Sequence, residues 1–276
     1  MSKKNVPNAV SHRCSVTSGS RCRSKARASG RNIKLEIEYD GTNYCGWQIQ
    51  KRHQVTKSIQ ETIEKPLRKI LQEKIRLIAS GRTDAGVHAK GQVANFHTNS
   101  QIPLKKLQVA LNSLLPPDIA IKNAREVNSN FHSRFNAKSK LYRYTILNNA
   151  QRSAFLRNTA YLYPYSLNLK LMRSESEMLL GEHNFKAFQA SDKKERSAIR
   201  TIKNLKIRKG KGLIYIDIEA DGFLYNMARN IIGTLIEIGR GRFRKGDLEK
   251  ILQAKDRKLA GPTAPARGLC LLRVKY

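Results

Sequence analysis

Short apolar alternations and amphipathic helical segments follow one another along this chain without a regular strand–helix–strand rhythm. Apolar and polar residues alternate from Ile33 to Tyr39, which predicts a half-buried strand, and a similar pattern returns from Leu213 to Ala220. Helical periodicity appears between such runs, for example from Leu104 to Leu115. This mixture favours an α+β fold with helices on one face of a largely antiparallel sheet.

The two parts of the chain have a similar plan, so we expect an N-terminal half over residues 32–137 and a C-terminal half over 138–276 that share one sheet. Pro66 lies inside the first predicted helix and should kink or split it, because proline lacks the amide hydrogen. Further strands are predicted near residues 75–79, 92–97, 141–147, 201–207 and 269–274, and further helices near 169–180, 223–239 and 246–253.

The charge balance predicts a polyanionic partner. The 276 residues include 53 Lys or Arg against 21 Asp or Glu, a net charge of +32. Such an imbalance favours binding to nucleic acid or to an anionic membrane surface. Because no apolar run approaches the ~20 residues of a spanning helix, we expect a soluble protein and favour nucleic acid. The four scattered cysteines fit a reducing cytosol.

Residues 1–31 differ in composition from the rest and are predicted to be a disordered basic extension. The stretch from Met1 to Lys34 has nine Lys or Arg and no Asp or Glu. It lacks the apolar segment of a secretory signal. An organelle transit segment, a basic arm that adds RNA affinity and a misassigned start codon all remain open.

The run GRTDAGVHA, Gly81 to Ala89, places Asp84 on a loop after a predicted strand. An aspartate there can simply stabilise a turn or cap a helix. In so basic a chain it can also be an acid that acts on a polyanion, and Arg82 supplies nearby positive charge.

Two further segments carry residues suited to chemistry. In the strand predicted at 141–147, Lys140, Tyr142 and Tyr144 share one face. A tyrosine ring can stack on a base and its hydroxyl can transfer a proton, although ordinary sheet packing explains at least one of the two. Arg229, on the first turns of a predicted helix, is either a solvated surface residue or a partner for a carboxylate of the other half.

The sequence shows no histidine or cysteine spacing typical of a metal site, and no Walker loop, GxGxxG run or nucleophile elbow. Taken together, its motifs resemble the TruA-type family of tRNA pseudouridine synthases, in the family's order from about Ile33 to Tyr276. The matching runs are YDGT at 39–42, GWQIQ at 46–50, GRTDAGVHA at 81–89, GQVA at 91–94, ALN at 110–112, LPPDI at 115–119, FHSRF at 131–135, YRY at 142–144, FKAF at 185–188, FLYNMAR at 223–229 and APARGL at 264–269.

The resemblance implies a pseudouridine synthase fold, with the RNA-binding cleft on the face opposite the helices, and no metal or organic cofactor. Asp84 matches the family's catalytic aspartate, Tyr142 the tyrosine that stacks on the uracil and a candidate for removing its C5 proton, and Arg229 the arginine that pairs with the aspartate and keeps it ionised. Arg82 matches an arginine that helps hold the target nucleotide out of the stack. Within the matching runs, we also expect Arg134 to contact substrate, and His88 either to contact substrate or to pack within the fold.

The family's substrate is uridine at positions 38 to 40 of the tRNA anticodon stem-loop, and its members form homodimers. We therefore expect a cytoplasmic tRNA-modifying isomerase, with organelle targeting by residues 1–31 left open. Two alternatives compete with this interpretation: a non-catalytic RNA-binding protein and a membrane-surface protein that uses the basic extension.

Overall fold

A computed structural model of the protein describes residues 1–2, 30–49, 57–190 and 197–276. Most of the predicted extension, residues 3–29, lies outside the described residues. Arg31, the last residue of that predicted extension, is instead part of the first strand, and its guanidinium contacts the Glu126 carboxylate at 2.8 Å. The first strand thus begins one residue before Asn32, the predicted start of the N-terminal half.

The strands are β1 (Arg31–Tyr39), β2 (Ile78–Ala79), β3 (His88–Thr98), β4 (Ile119–Val127), β5 (Ser139–Leu147), β6 (Tyr161–Leu162), β7 (Gly181–Asn184), β8 (Ile199–Gly210), β9 (Leu213–Ala220) and β10 (Leu269–Lys275). The α-helices are α1 (Ile59–Leu71), α2 (Leu104–Leu114), α3 (Leu169–Ser176), α4 (Met227–Gly239) and α5 (Asp247–Ala254).

The described strands form one mixed sheet in the order β4-β1-β3-β10-β5-β9-β8-β7, with β2 beside β3 and β6 beside β5. The β3–β10 and β5–β6 pairs are parallel, and the other pairs are antiparallel. The last strand of the chain, β10, therefore joins the N-terminal half to the C-terminal half. The predicted α+β class with a largely antiparallel sheet is confirmed.

Strand register shows which residues of the sheet face the core. Tyr39 pairs with Ala89, Ala89 with Leu271, Leu271 with Tyr142, and Tyr142 with Ile218. Directly paired residues point to the same face of a sheet. All five are buried in the core that also contains the apolar faces of α1 and α4. This row therefore runs along the helix-bearing face from one half of the protein to the other.

Helix α1 is continuous through Pro66, so the prediction that proline would split it is wrong. The helix begins after Ser58, whose hydroxyl accepts a hydrogen bond from the Glu61 amide at 3.2 Å. Burial of its apolar face against the core stabilises the helix on both sides of the proline. Thr62, whose carbonyl loses its usual amide donor, is only partly buried, which makes that loss tolerable.

Some elements differ from those that periodicity predicts, and two of the differences have a clear physical reason. Strand β4 was not predicted, and it forms an edge of the sheet, where charged residues such as Lys122 and Arg125 replace the apolar alternation. Helix α4 begins at Met227 instead of Phe223 because Asn226 has φ +59°, a left-handed conformation that no helix continues through. Among the described residues, none of the helices has the length and apolar character that crossing a bilayer requires.

Candidate active site

The segment that carries Asp84 is a tight turn at the start of β3. The Val87 amide donates to the Asp84 carbonyl at 3.1 Å, and Gly86 within this turn has φ +75°, which favours glycine. The Trp47 amide donates to the Thr83 carbonyl at 3.0 Å and so ties the turn to the loop after β1. The Asp84 side chain therefore projects from a backbone that is fixed on both sides.

Hydrogen bonds of nearby side chains hold the backbone that leads into this turn. The hydroxyls of Tyr39 and Thr83 are 2.8 Å apart and hydrogen-bonded, and the Gln92 amide group donates to the Gly81 carbonyl at 3.0 Å. The Ser80 hydroxyl in turn donates to the Gln92 side-chain oxygen at 2.7 Å. The two strands β1 and β3 thus set the position of the whole GRTDAG segment.

The structure brings Asp84 and Arg229 together across the two halves. Arg229 NH1 lies 3.3 Å from Asp84 Oδ2, and the side chains are 17% and 25% exposed, respectively. Burial is the largest influence on the Asp84 carboxyl and raises its pKa, while the charge and hydrogen bond of Arg229 lower it. The net pKa is above that of a free aspartate, so the guanidinium offsets only part of the desolvation.

Arg229 reaches this position from the first turn of α4. Its Nε donates to the Ala264 carbonyl at 2.8 Å, and its NH1 also contacts Asn226 Oδ1 at 3.3 Å. The guanidinium is therefore oriented by neighbouring groups as well as by the carboxylate.

Tyr142 lies near this pair on the helix-bearing face. Its side chain is buried, and its ring meets Phe223 edge-on with centroids 5.0 Å apart. Burial raises the pKa of the Tyr142 hydroxyl, and the charges of Tyr39 and Asp84 raise it further. The hydroxyl makes no hydrogen bond to any described residue, so it is a protonated group free to donate to a ligand.

Tyr144, two residues further along β5, has a packing role. Its hydroxyl donates to the Pro265 carbonyl at 2.9 Å, and its ring packs against Gly268, where a Cβ would be 2.6 Å from Cζ. Of the two tyrosines on this face, Tyr142 is therefore the one placed at the site.

Arg82 and Arg134 are exposed, and their guanidinium groups form no hydrogen bond or ion pair with any residue that the structure describes. The Arg134 guanidinium lies 5.7 Å from the centre of the exposed Phe135 ring. Both cations are thus available for an external anion.

Both ring nitrogens of His88 have partners within the fold. It is buried, and its Nε2 lies 2.8 Å from the Asn158 carbonyl and 3.1 Å from the Arg267 carbonyl. Its Nδ1 accepts from the Gly41 amide at 3.1 Å and lies 3.0 Å from Asp40 Oδ1. The imidazole connects four segments of the fold around the base of the site.

The site lies on the helix-bearing face, since Tyr142 points to that face and α4 carries Arg229 onto it. Alternation along a strand tells which residues share a face, but it does not tell which face the helices cover.

Some contributors had no residue-type signal in the sequence. Ala264 acts through its backbone carbonyl, and Gly46 acts by allowing close contact with the Asp84 turn. In the described part of the chain, no group of three or more His, Cys, Asp or Glu side chains is placed to hold a metal ion.

The chain matches the family model described as tRNA pseudouridine synthase over residues 36–136 and 176–276. Asp84 and Arg229 fall within these two segments, and Tyr142 falls between them. The chain is similar to proteins named tRNA pseudouridine synthase A from Thermoanaerobacter sp. (46% identity), Clostridium acetobutylicum (47%) and Caldicellulosiruptor saccharolyticus (48%). Each comparison extends over 246 residues, 89% of this chain and 100% of the relative.

Proposed function

The chain belongs to the tRNA pseudouridine synthase family, a family of isomerases, and on this premise we propose that it converts uridine to pseudouridine at positions 38, 39 and/or 40 of tRNA. The observation that carries the proposal is the Asp84–Arg229 pair, which joins one carboxylate to one guanidinium at 3.3 Å beside Tyr142. A protein that only binds RNA has no need for a partly buried carboxylate in its binding surface, because the phosphate backbone repels that carboxylate.

The reaction exchanges one glycosidic bond for another within the same nucleotide. The bond from uracil N1 to ribose C1′ breaks, the ring turns, C5 bonds to C1′, the C5 proton leaves and N1 gains a proton. We assign Asp84 as the nucleophile, with the ribose C1′ or the uracil ring as its target. Product and substrate are isomers, so the overall change requires no oxidant or reductant.

The neighbouring residues suit supporting roles. The Arg229 guanidinium favours the ionised carboxylate, which is the nucleophilic form. The Tyr142 ring offers a stacking surface, and its hydroxyl can exchange a proton with the base once the proton at C5 becomes acidic. A base within a helix must be extruded before it can react, at an expense of a few kcal/mol. We assign the exposed Arg82, two residues before Asp84, to hold the extruded nucleotide.

The proposed partner is the anticodon stem-loop of tRNA, and the net charge of +32 supports it because folded RNA is recognised largely through phosphate and 2′-OH contacts. We further propose a cytoplasmic homodimer, as the resemblance implies. Sedimentation velocity of the full chain tests the dimer directly, and a monomer at micromolar concentration would contradict it.

Asp84→Asn is the variant that tests the function. Tritium release from tRNA labelled at uridine C5 should fall by at least about a thousandfold, because loss of a nucleophile removes the whole covalent pathway. Binding of the same tRNA should stay within a few-fold. Asp247→Asn, at the partly exposed start of α5, is the matched control and should release tritium at the wild-type rate. Full activity of Asp84→Asn would remove Asp84 from the mechanism.

The positions need a separate measurement. Transcripts of one tRNA that carry a single uridine at position 38, 39 or 40 should be converted, and a transcript with uridine only elsewhere should not. Conversion confined to other positions would contradict the assignment of positions while leaving the isomerase activity intact.

A further inference from the structure

One lysine beside the candidate site has no hydrogen-bond or ion-pair partner among the residues that the structure describes. Lys140 is on β5, two residues before Tyr142, so the two side chains share the helix-bearing face. Its side chain lies along Gly81: a Cβ built on that glycine would be 3.3 Å from Nζ and 3.4 Å from Cε. Gly81 is three residues before Asp84. The ammonium group is therefore fixed next to both the turn that carries the acid and the strand that carries the tyrosine.

The Lys140 ammonium forms no hydrogen bond or ion pair with any described residue. It is nevertheless partly buried, and a buried lysine is ordinarily paired with an acid because a desolvated charge is unfavourable. The exposed lysines of this basic chain can be explained as solvated surface groups. Lys140 cannot, because its partial burial leaves it neither fully hydrated nor neutralised.

The charges that act on Lys140 come from several elements and are mostly positive. Arg134, in the loop before β5, and Arg200, on β8, are the nearby cations, and Asp221, after β9, is the opposing acid. The Arg200 side chain packs beside Gly222, where a Cβ would be 3.4 Å from Nε, and one of its guanidinium nitrogens donates to the Ser197 carbonyl at 3.0 Å. Three positive charges, including that of Lys140, are therefore opposed by one carboxylate in this region.

Burial, and then the charges of Arg134 and Arg200, lower the pKa of Lys140 to about 8. Each cause disfavours a positive charge that no group of the chain compensates. A bound anion would supply the missing negative charge, and it would also restore the ordinary basicity of the amine.

We propose that Lys140, Arg134 and Arg200 form a binding site for a backbone phosphate of the RNA strand beside the target uridine. The proposal rests on the proposed function and adds a specific strand contact to it. While the uracil is detached, the ribose must stay in place for C5 to meet C1′, and a phosphate held next to the site limits its motion. Lys140 is thus a substrate-binding residue that positions the sugar, and it takes no part in bond breaking.

Chemical removal of single charges on the RNA tests this assignment. A synthetic stem-loop that wild-type protein modifies is prepared with one neutral methylphosphonate at each linkage within two nucleotides of the target. We expect one linkage at which the neutral group lowers kcat/KM of wild-type protein roughly tenfold or more, the size of a charge-assisted contact. Lys140→Met should show a similar loss with the unmodified RNA and little further loss with that same methylphosphonate.

Lys105→Met, on the exposed side of α2, is the matched control and should respond to the neutral linkage as wild-type protein does. Arg134→Gln is measured with the same unmodified and methylphosphonate RNAs. It replaces Lys140→Met as the deciding variant if the thermal melt of Lys140→Met shows that it does not fold. Additive losses at every linkage, for the variant that folds, would overturn the phosphate site. Failure of wild-type protein to modify any stem-loop would instead contradict the proposed function.

Discussion

Arg229 and Ala264 hold each other through two hydrogen bonds. The guanidinium Nε donates to the Ala264 carbonyl at 2.8 Å, and the Ala264 amide donates to the Arg229 carbonyl at 3.1 Å. The first bond holds the guanidinium through Nε and leaves its Nη1 directed at Asp84 Oδ2, 3.3 Å away. Because its orientation is set by the fold, the cation is in place before a substrate arrives.

Replacing Arg229 with glutamine should move the acid limb of the pH–rate profile. The Arg229 charge lowers the pKa of Asp84 against the effect of burial, so its loss raises that pKa further. The ionised carboxylate is the reactive form; activity therefore falls as pH falls through this pKa, and the fall should begin at a higher pH in the variant. We expect kcat at neutral pH to drop by roughly a hundredfold or more, a typical effect of removing an electrostatic stabiliser.

Tritium release measured between pH 4.5 and 8 gives the position of the acid limb for wild-type protein and for Arg229→Gln. Arg240→Gln, which removes an exposed guanidinium that pairs with the buried Glu237 carboxylate, serves as the control and should leave the profile unchanged. An Arg229→Gln profile with its acid limb at the wild-type pH would show that the guanidinium does not govern the carboxylate.

The sequence was sufficient for the α+β class and for the face shared by Lys140 and Tyr142, because alternation and helical periodicity are local signals. It was not sufficient for the order of the strands in the sheet. That depends on β10 pairing with β3 and β5, which brings together strands from opposite ends of the chain. Pairings between distant segments leave no mark in local periodicity.

His88 shows a second kind of limit. The sequence left both a substrate contact and a packing role open for this histidine, and the fold engages its two nitrogens with the Gly41 amide and the Asn158 and Arg267 carbonyls. Backbone partners are supplied by the fold and carry no residue-type signal. The same holds for Ala264, whose carbonyl orients Arg229.

Asp84→Asn should leave the fold as stable as the wild-type fold at neutral pH, or slightly more stable. The pKa of Asp84 is raised in the folded protein, so the folded state disfavours the ionised form relative to the unfolded chain. The resulting destabilisation is complete above the folded pKa and disappears as pH falls toward the unfolded value, ~3.9. An asparagine carries no charge and can still accept a hydrogen bond from Arg229.

Thermal melts of the two proteins, from neutral pH down to the acid range, check this sign. The difference should be largest near pH 7 and shrink on acidification. A clearly lower melting temperature for Asp84→Asn at pH 7 would mean that the ion pair stabilises the fold more than burial of the carboxylate destabilises it.

Asn230→Ala should lower both stability and activity. The fully buried Asn230 side chain donates to the Phe188 carbonyl at 2.8 Å and accepts from the Thr263 hydroxyl at 2.6 Å and from Arg257 at 3.1 Å. These bonds hold the loop that presents the Ala264 carbonyl to Arg229. Leaving such buried groups without partners should reduce the free energy of unfolding by about 2–4 kcal/mol.

Urea unfolding measures that loss, and tritium release measures activity at a temperature where the variant is folded. Asn130→Ala, an exposed position outside this network, should change neither. If Asn230→Ala lost stability but kept the wild-type kcat, the loop would not be what orients Arg229.

Gly46→Ala should damage the site from the opposite side of the Asp84 turn. Gly46 has φ +98°, and a Cβ there would be 2.6 Å from the Thr83 carbonyl oxygen and 3.0 Å from the Asp84 carbonyl carbon. The left-handed backbone alone is unfavourable for alanine by about 1–2 kcal/mol, and the contact must also push the turn away.

Gly212, with φ +76° and no atom within 4 Å of its Cβ position, gives the matched control. Gly212→Ala should show only the backbone effect in its melting temperature and keep wild-type kcat. Gly46→Ala should lose about tenfold to a hundredfold in kcat, since a shift of the reacting group by an ångström or less is enough. Equal kcat values for the two alanine variants would show that the turn tolerates displacement and that the position of Asp84 is not set by its contact with Gly46.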